Sequence, residues 1–382
     1  MSDTQKNKKP NVPNLRFPGF EGEWEKVSIG QICTIIGGGT PDTNTKKYWN
    51  GDIQWFTPSE VGKEKYVSNS NRTISIEGLK NSSAKLLPPY SILLSSRATV
   101  GECSINLKEC CTNQGFQSAV PNVDITSTEF LYYRLLTHKH EFIKKACGST
   151  FLEISAKQIS KLYTYIPERS EQKLISSLLS LIDQRITIQN RVIERYESLI
   201  KALYQKIMSL FQGVSTPLGE IVQIQKGKQI NSEFLSTKGK YYVMNGGIAP
   251  SGYYHQFNTE ANTISISEGG NSCGYVQYNA GPYWSGGHCY SLLCPKDIVD
   301  YRFLYHYLKY RQDDIMALRI GSGLPNIQKK DIERFLIILP SIDVQKKLAS
   351  FFDEVSSRYS LAGQEKAYYE KLKAYLVFNM FI

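Results

Sequence analysis

No apolar run in this chain approaches the roughly 18 residues that a membrane-spanning helix needs. The longest, Leu86–Leu94 and Phe335–Leu339, are short, and the first is broken by Pro88 and Pro89. The first thirty residues lack the apolar segment of a secretory signal, so an intracellular protein is expected. The eight cysteines include no C-x-x-C, and His138/His140 and His288/Cys289 have no second ligand pair at zinc-like spacing. Reduced thiols and no structural metal are therefore expected. The absence of G-x-x-x-x-G-K-[ST] excludes a P-loop nucleotidase. Five scattered histidines offer little from which to assemble a Ser/His/Asp triad.

What is present is an ordinary core-forming composition, 41% hydrophobic and 21% charged, which excludes wholesale disorder. At 382 residues the chain is long enough for two or three domains. Lys and Arg number 45 against 35 Asp and Glu, a net charge of +10 that suits a polyanionic partner. The surplus is spread along the chain rather than held in one patch or tail, which argues against a membrane-binding polybasic segment.

Self-comparison is the most informative step. At a shift of 173 residues, Phe130-Leu131-Tyr132 falls on Phe303-Leu304-Tyr305, Leu135 on Leu308, Gly148-Ser149 on Gly321-Ser322, and Ile154 on Ile327. Pro167 then meets Pro340, Gln172-Lys173 meets Gln345-Lys346, Arg185 meets Arg358, and Tyr196-Glu197 meets Tyr369-Glu370. Upstream the shift is 189, with Gly30 on Gly219, Ile32 on Ile221 and Ile35 on Ile224, so the second copy is shorter by about sixteen residues. Each copy has a divergent front part and a better-kept back part, as a common chassis carrying two different readers would.

The front parts predict mixed β structure. Ile53–Thr57, Ser91–Ser96 and Phe116–Val120 are short apolar or alternating runs between turn-forming clusters, as are Tyr241–Met244, Thr263–Ser267, Gly274–Tyr278 and Cys289–Cys294. A helix follows in each copy, Ser127–Lys145 and Asp300–Leu318, then a G-S turn and a short element at Ser155–Tyr165 or Gln328–Ile338. After Pro167 about forty-five residues pass without Gly or Pro, and apolar residues recur at helical spacing from Ile175 to Leu210. The mate after Pro340 has a similar stripe. Core packing along a helix–helix seam accounts for both, with Ile182, Tyr196, Val355 and Tyr369 in the seam and Arg185, Gln189 and Arg358 as polar devices that fix its register.

Catalytic motifs come close and fail. Leu87-Pro88-Pro89-Tyr90 is similar to the D/N-P-P-Y/F signature of amino-methyltransferases, but Leu87 cannot accept a hydrogen bond from an amino group. Gly37-Gly38-Gly39 follows a predicted strand without the spacing or long helix of a phosphate cradle. No acidic-x-Lys triplet follows Pro41-Asp42 within thirty residues, as a metal-dependent nuclease would require. A non-catalytic chain is expected, with no cofactor or metal of its own.

Two similar modules, each followed by a long helix, suit a linear ligand with two sites at a fixed separation; duplex DNA is one. Candidate contacts in the first module are Lys46, Lys47, Thr57, Ser59, Arg97 and Gln114, and in the second Lys226, Lys228, Gln229, Lys240, Asn245, Asn271 and His288. Each reads equally as a solvated surface residue, and Trp49 and Trp55 as core. A coiled-coil adaptor with no nucleic-acid role, or a stand-alone DNA methyltransferase, are the alternatives; neither explains two diverged β-rich modules without a cofactor loop.

Several motifs together carry a family resemblance. Pro13-Asn14-Leu15-Arg16-Phe17-Pro18-Gly19-Phe20 with Glu23-Trp24, Gly38-Gly39-Thr40-Pro41, Tyr48-Trp49-Asn50-Gly51, Leu94-Ser95-Ser96-Arg97 and Thr112-Asn113-Gln114-Gly115-Phe116 resemble the specificity (S) subunits of type I restriction–modification systems. So does Pro167 followed by Glu171-Gln172, although the second copy has Val344-Gln345 in place of the Glu-Gln pair. The resemblance implies an α+β fold: two mixed α/β target recognition domains related by the repeat, and two long helices packed as an antiparallel coiled coil. The domains would be an arm at 1–24, a first recognition domain at 25–167, a helix at 168–212, a second recognition domain at 213–340 and a helix at 341–382. It further implies double-stranded DNA as ligand, two methyltransferase subunits and motor–nuclease subunits as partners, and a prokaryotic cytoplasm as location. S-adenosylmethionine, ATP and magnesium would belong to those partners.

Overall fold

A computed structural model describes residues 11–146, 153–210, 213–321, 323 and 325–382. The expected G-S turns at 148–149 and 321–322 fall wholly or partly outside them. The chain forms two compact units, one of residues up to Gln189 together with Glu365–Ile382, the other of Asn190–Gln364. Each holds one β-rich module and a stretch of both long helices, which span Arg169–Ser209 and Ile342–Met380. Among the described residues no helix is long and apolar enough to cross a membrane.

The first unit contains a five-stranded sheet ordered Cys33–Gly37, Gln117–Pro121, Ile92–Leu94, Cys103–Asn106 and Tyr66–Val67. Beside it lies a three-stranded sheet, Arg72–Ile74, Trp49–Phe56 and Cys110–Thr112, whose last pair runs parallel. The second unit repeats this plan with four strands (Gln223–Lys226, Cys289–Leu293, Thr263–Ser267, Val276–Asn279) and three (Gly252–Tyr254, Tyr241–Met244, Trp284–Ser285), again with one parallel pair. Short bulged or edge strands of β-branched and aromatic residues, cut by Gly, Asn and Ser, are the local reason for this mixed architecture.

The missing sixteen residues can now be placed. Between Phe56 and Ile92 the first module carries the strands Tyr66–Val67 and Arg72–Ile74 and the helix Ile76–Lys80; between Met244 and Ile264 the second carries only the strand Gly252–Tyr254. Each predicted helix after the sheet is two helices: Thr128–Thr137 and Lys139–Lys145 break at His138, and Tyr301–Tyr310 and Gln312–Ala317 break at Arg311. The short elements that follow are a helical turn and a strand. The strand Tyr163–Ile166 closes back antiparallel on Glu25–Ser28, and Leu336–Leu339 on Val214–Pro217. The repeated glycines sit at this closure, where a Cβ on Gly30 would come within 3.0 Å of the Ser160 Cβ and one on Gly219 within 3.0 Å of the Glu333 Cβ.

One core gathers Ile29, Ile32, Ile92, Ile105, Phe130 and Leu131 against Ile175, Leu179 and Ile182 of the first long helix, Leu376 and Met380 of the second, and Phe381 just beyond it. A second, in the other unit, gathers Leu218, Ile221, Ile264, Ile266, Phe303 and Leu304 against Ala349. The helix stretches run antiparallel within each unit. In the first, Lys373 pairs with Asp183 at 2.6 Å and Gln189 donates to Glu365 at 2.7 Å. In the second, Tyr359 donates to Glu197 at 2.8 Å, and Tyr204 stacks on Phe352 with ring centroids 4.0 Å apart. Of the other seam candidates, Ile182 is buried, Tyr196, Val355 and Tyr369 are half-buried, and Arg185 and Arg358 are exposed. Arg358 bonds Glu354 on its own helix at 2.8 Å.

A buried glutamine anchors each module to its helix by the same three hydrogen bonds. Gln172 donates to the carbonyls of Ile125 and Pro167 and accepts from the Ser127 amide. Gln345 donates to those of Ile298 and Pro340 and accepts from the Asp300 amide. The residue before it differs for a reason the structure supplies. Glu171, fully buried, takes a bidentate pair from Arg16 of the N-terminal arm, Nε at 2.8 Å and Nη2 at 2.7 Å. Val344 sits at the same position in the second copy, 37% exposed, and carries no charge for a cation to pair with.

This difference yields a double-mutant test. Arg16→Met strands a buried carboxylate and should cost about 3–5 kcal/mol in urea unfolding, whereas Arg16→Met with Glu171→Val should recover most of that loss. Equal losses in the single and double variants would contradict the pairing.

Candidate nucleic-acid interface

At one end of each sheet chain segments converge, and their main-chain amides make the same bonds in both modules. In the first, the Gly38 amide donates to the Phe116 carbonyl (3.4 Å), Gly39 to Thr112 (2.8 Å), Asn113 to Phe56 (3.0 Å), Ser96 to Gly115 (2.8 Å) and Ile154 to Ser96 (3.2 Å). In the second, Gly227 donates to Cys289 (2.9 Å), Lys228 to Ser285 (2.8 Å), Gly286 to Met244 (2.8 Å), Glu268 to His288 (2.9 Å) and Ile327 to Glu268 (2.9 Å). Bond for bond, these pairings equate Gly38 with Gly227, Phe56 with Met244, Ser96 with Glu268, and Gly115 with His288.

The chain approaches itself so closely here that glycine is required. A Cβ on Gly38 would lie 2.0 Å from the Asn113 carbonyl oxygen and one on Gly227 2.2 Å from that of Gly286. The Gly37–Gly39 run therefore packs against its own protein backbone, with the Gly39 side also filled by Ser83 and Ala84, and does not form a phosphate cradle.

On this shared backbone the side chains differ. In the first module Thr40 donates to Gln114, and Thr57 bonds Glu60 at 2.6 Å with the Ser59 hydroxyl 3.1 Å away. Arg97 pairs with Glu153 at 2.9 Å. In the second, Lys226 donates to Glu268 at 2.5 Å, and Asn245 accepts the His288 amide at 3.1 Å. Gln229 lies against Gly287, and Asn271 is exposed on the turn beyond Glu268. Thr57, Ser59, Arg97 and Gln114 thus share one loop cluster, and Lys226, Gln229, Asn245, Asn271 and His288 another.

Of the remaining candidates Lys46, Lys47 and Lys240 lie on other elements, and Lys228 joins the second cluster through its main chain. Lys46 and Lys47 occupy a helical turn where Lys47 pairs with Glu77. Lys228 is an exposed side chain next to the second cluster, its carbonyl accepting from the Trp284 indole. Lys240 sits at the opposite end of the strand that leads to Asn245, over the Tyr241 ring. Trp49 and Trp55 are core, packed edge to face at 5.0 Å, with the Arg72 guanidinium 3.6 Å above Trp49.

Two features were missed from sequence. Glu268, 8% exposed, keeps one oxygen without a hydrogen-bond partner among the described residues, and nothing in its local sequence distinguishes it from a solvated glutamate. Gly270-Asn271-Ser272-Cys273-Gly274 has the G-x-S-x-G spacing of a nucleophile elbow, but it turns between the antiparallel strands Thr263–Ser267 and Val276–Asn279, whereas an elbow turns from strand into helix. Burial pushes the Cys33, Cys110 and Cys111 thiols up to about 12 and the Cys289 thiol up to about 11, so all four remain protonated near neutral pH.

Comparison with known proteins fits this geometry. The family model described as type I restriction modification DNA specificity domain matches twice, over residues 21–197 and 214–368. The chain is 25% identical to the type I restriction enzyme MjaIX specificity subunit of Methanocaldococcus jannaschii, covering 86% of this chain and 85% of that one. It is 24% identical to the EcoprrI specificity subunit of Escherichia coli, covering 88% of each. Its fold is similar to the crystal structure of the type I restriction–modification S subunit from M. genitalium, with a TM-score of 0.73 at 21% identity over 97% of this chain and 99% of that one.

If backbone contact at Gly227 holds the second cluster together, Gly227→Ala should raise hydrogen exchange at the amides of Lys228, Gly286 and Glu268 by about tenfold or more, with the amides of the first module unchanged. Unchanged protection in the second cluster would show that the close contact is not needed.

Proposed function

The chain belongs to the type I restriction–modification DNA specificity family, and from that premise we propose that it is the address-reading subunit of such a complex, each module reading one half of a bipartite DNA target. The observation that carries this is the twice-built loop scaffold with two different sets of polar side chains. Two readers of the same shape and different chemistry suit two different half-sites. Lys and Arg spread over both modules supply sequence-independent attraction to phosphates, and the loop side chains supply base contacts.

In this reading residues 25–167 and 213–340 are the recognition domains, and the two long helices set the number of unread base pairs between the half-sites. The helices also offer docking surface for two methyltransferase subunits, with motor–nuclease subunits joining afterwards. S-adenosylmethionine, ATP and magnesium serve those partners, and this chain contributes no catalytic group. The work is done in a prokaryotic cytoplasm. The names of the M. jannaschii and E. coli relatives, both specificity subunits of type I restriction enzymes, support this assignment.

Exchanging residues 213–340 for the second module of another family member should change one half of the methylated sequence and leave the other intact, as read by modified-base sequencing. Methylation of the original full sequence would overturn the proposal. Inserting one or two helical turns near Gln189 should lengthen the gap between the half-sites; an unchanged gap would remove the helices from that role.

A further inference from the structure

The backbone hydrogen bonds equate Ser96 of the first module with Glu268 of the second, and both hold a buried polar oxygen that has no hydrogen-bond partner among the described residues. Ser96 is fully buried and Glu268 is 8% exposed. Buried acceptors are nearly always satisfied in folded proteins, so a repeated exception at one position of two diverged modules points to a partner supplied from outside.

The surroundings of Glu268 define what that partner is. Its Oε1 accepts from Lys226 at 2.5 Å and from the Tyr290 hydroxyl at 3.0 Å, which fixes the carboxylate in place. Its Oε2 has no hydrogen-bond partner among the described residues, and the His288 Nδ1 lies 3.6 Å away, beyond hydrogen-bonding range. That imidazole is 61% exposed and forms the outer face of the cluster over Glu268. The turn that follows is uncrowded, since a Cβ on Gly270 would meet nothing within 4 Å. Lys226, His288 and Asn271 form the rim. A carboxylate oxygen accepts and does not donate, and among base edges in the major groove only the exocyclic amines of cytosine and adenine offer a donor.

We propose that Glu268 is a specificity-determining residue of the second module, its Oε2 accepting a hydrogen bond from the exocyclic amine of one base, N4 of cytosine or N6 of adenine, in the half-site this module reads. The assignment rests on the functional reading above. Ser96 holds the equivalent place in the first module, where a hydroxyl both donates and accepts and so imposes a different base preference from the same backbone position.

The test is selection from a randomised duplex library by the full chain purified with its methyltransferase subunits, comparing wild type, Glu268→Gln and Glu268→Asp. For Glu268→Gln, preference at a single base pair of one half-site should fall by about tenfold or more, or move to a base that presents a keto oxygen to the new amide N–H. Every other position, including the whole of the other half-site, should stay within about twofold. Glu268→Asp, which keeps the acceptor on a shorter arm, should retain the same base with weaker enrichment, and it decides the matter should Glu268→Gln not fold. Whichever base the wild type enriches there identifies the amine as that of cytosine or of adenine. Unchanged preferences in both variants would overturn the proposal, as would a uniform loss of affinity for all sequences, which would make Glu268 only a support for Lys226. If the wild-type complex enriches no bipartite sequence, the functional reading itself falls and this inference with it.

Discussion

Amides buried where several chain segments meet must find acceptors, and in this protein that requirement is met in the same way twice. Five backbone hydrogen bonds tie together the strand ends around Gly38, Phe56, Ser96 and Asn113, and five equivalent ones tie those around Gly227, Met244, Glu268 and Gly286. Because the bonds are main chain to main chain, they place no demand on side-chain identity except where backbones approach closely, and there a Cβ would lie about 2 Å from a carbonyl oxygen, so glycine is fixed. All other positions at that end of the sheet are free to diverge. One module fills them with Thr57, Arg97 and Gln114, the other with Asn245, Glu268 and His288. Constancy of frame and freedom of side chain therefore have one physical origin.

The attachment of each module to the long helices follows the same logic with a side chain as the constant part. Gln172 and Gln345 each bridge three main-chain groups and are buried to the same degree, so neither tolerates replacement without leaving those groups unpaired. The neighbouring position varies with what it meets. Where the N-terminal arm delivers Arg16, a buried glutamate is sustained; where no cation is delivered, valine stands instead. A buried carboxylate is stable only with its partner present, which is why Glu171 depends on Arg16.

Much of this was legible in the sequence. The 173-residue offset, the strands at Tyr241–Met244 and Thr263–Ser267, and the two helical stripes follow from pattern alone, because hydrophobic periodicity reports burial directly. The family was legible too, through glycine- and aromatic-containing motifs that keep backbone contacts. What stayed hidden depends on residues far apart in the chain. The helix break at His138 carries no Gly or Pro, and the parallel pairing of Trp49–Phe56 with Cys110–Thr112 joins segments more than fifty residues apart. Arg16 reaches Glu171 across 155 positions. Glu268 was overlooked since its distinction is an unpartnered oxygen, which no local pattern announces. Charge and residue type do not report which end of a strand a side chain occupies, so the places of Lys46, Lys47 and Lys240 in the fold could not be read from sequence.

Loops built on one constant backbone frame should be interchangeable between the two modules. The most direct measurement replaces the four converging segments of the second module, around Gly227, Asn245, Glu268 and Gly286, with their equivalents around Gly38, Thr57, Ser96 and Asn113. Modified-base sequencing of DNA from cells carrying the assembled complex then reports the target. The account predicts that the half-site of the first module appears at both ends of the methylated sequence, with the gap unchanged. A folded, assembled complex that still marks the original two different half-sites would contradict it.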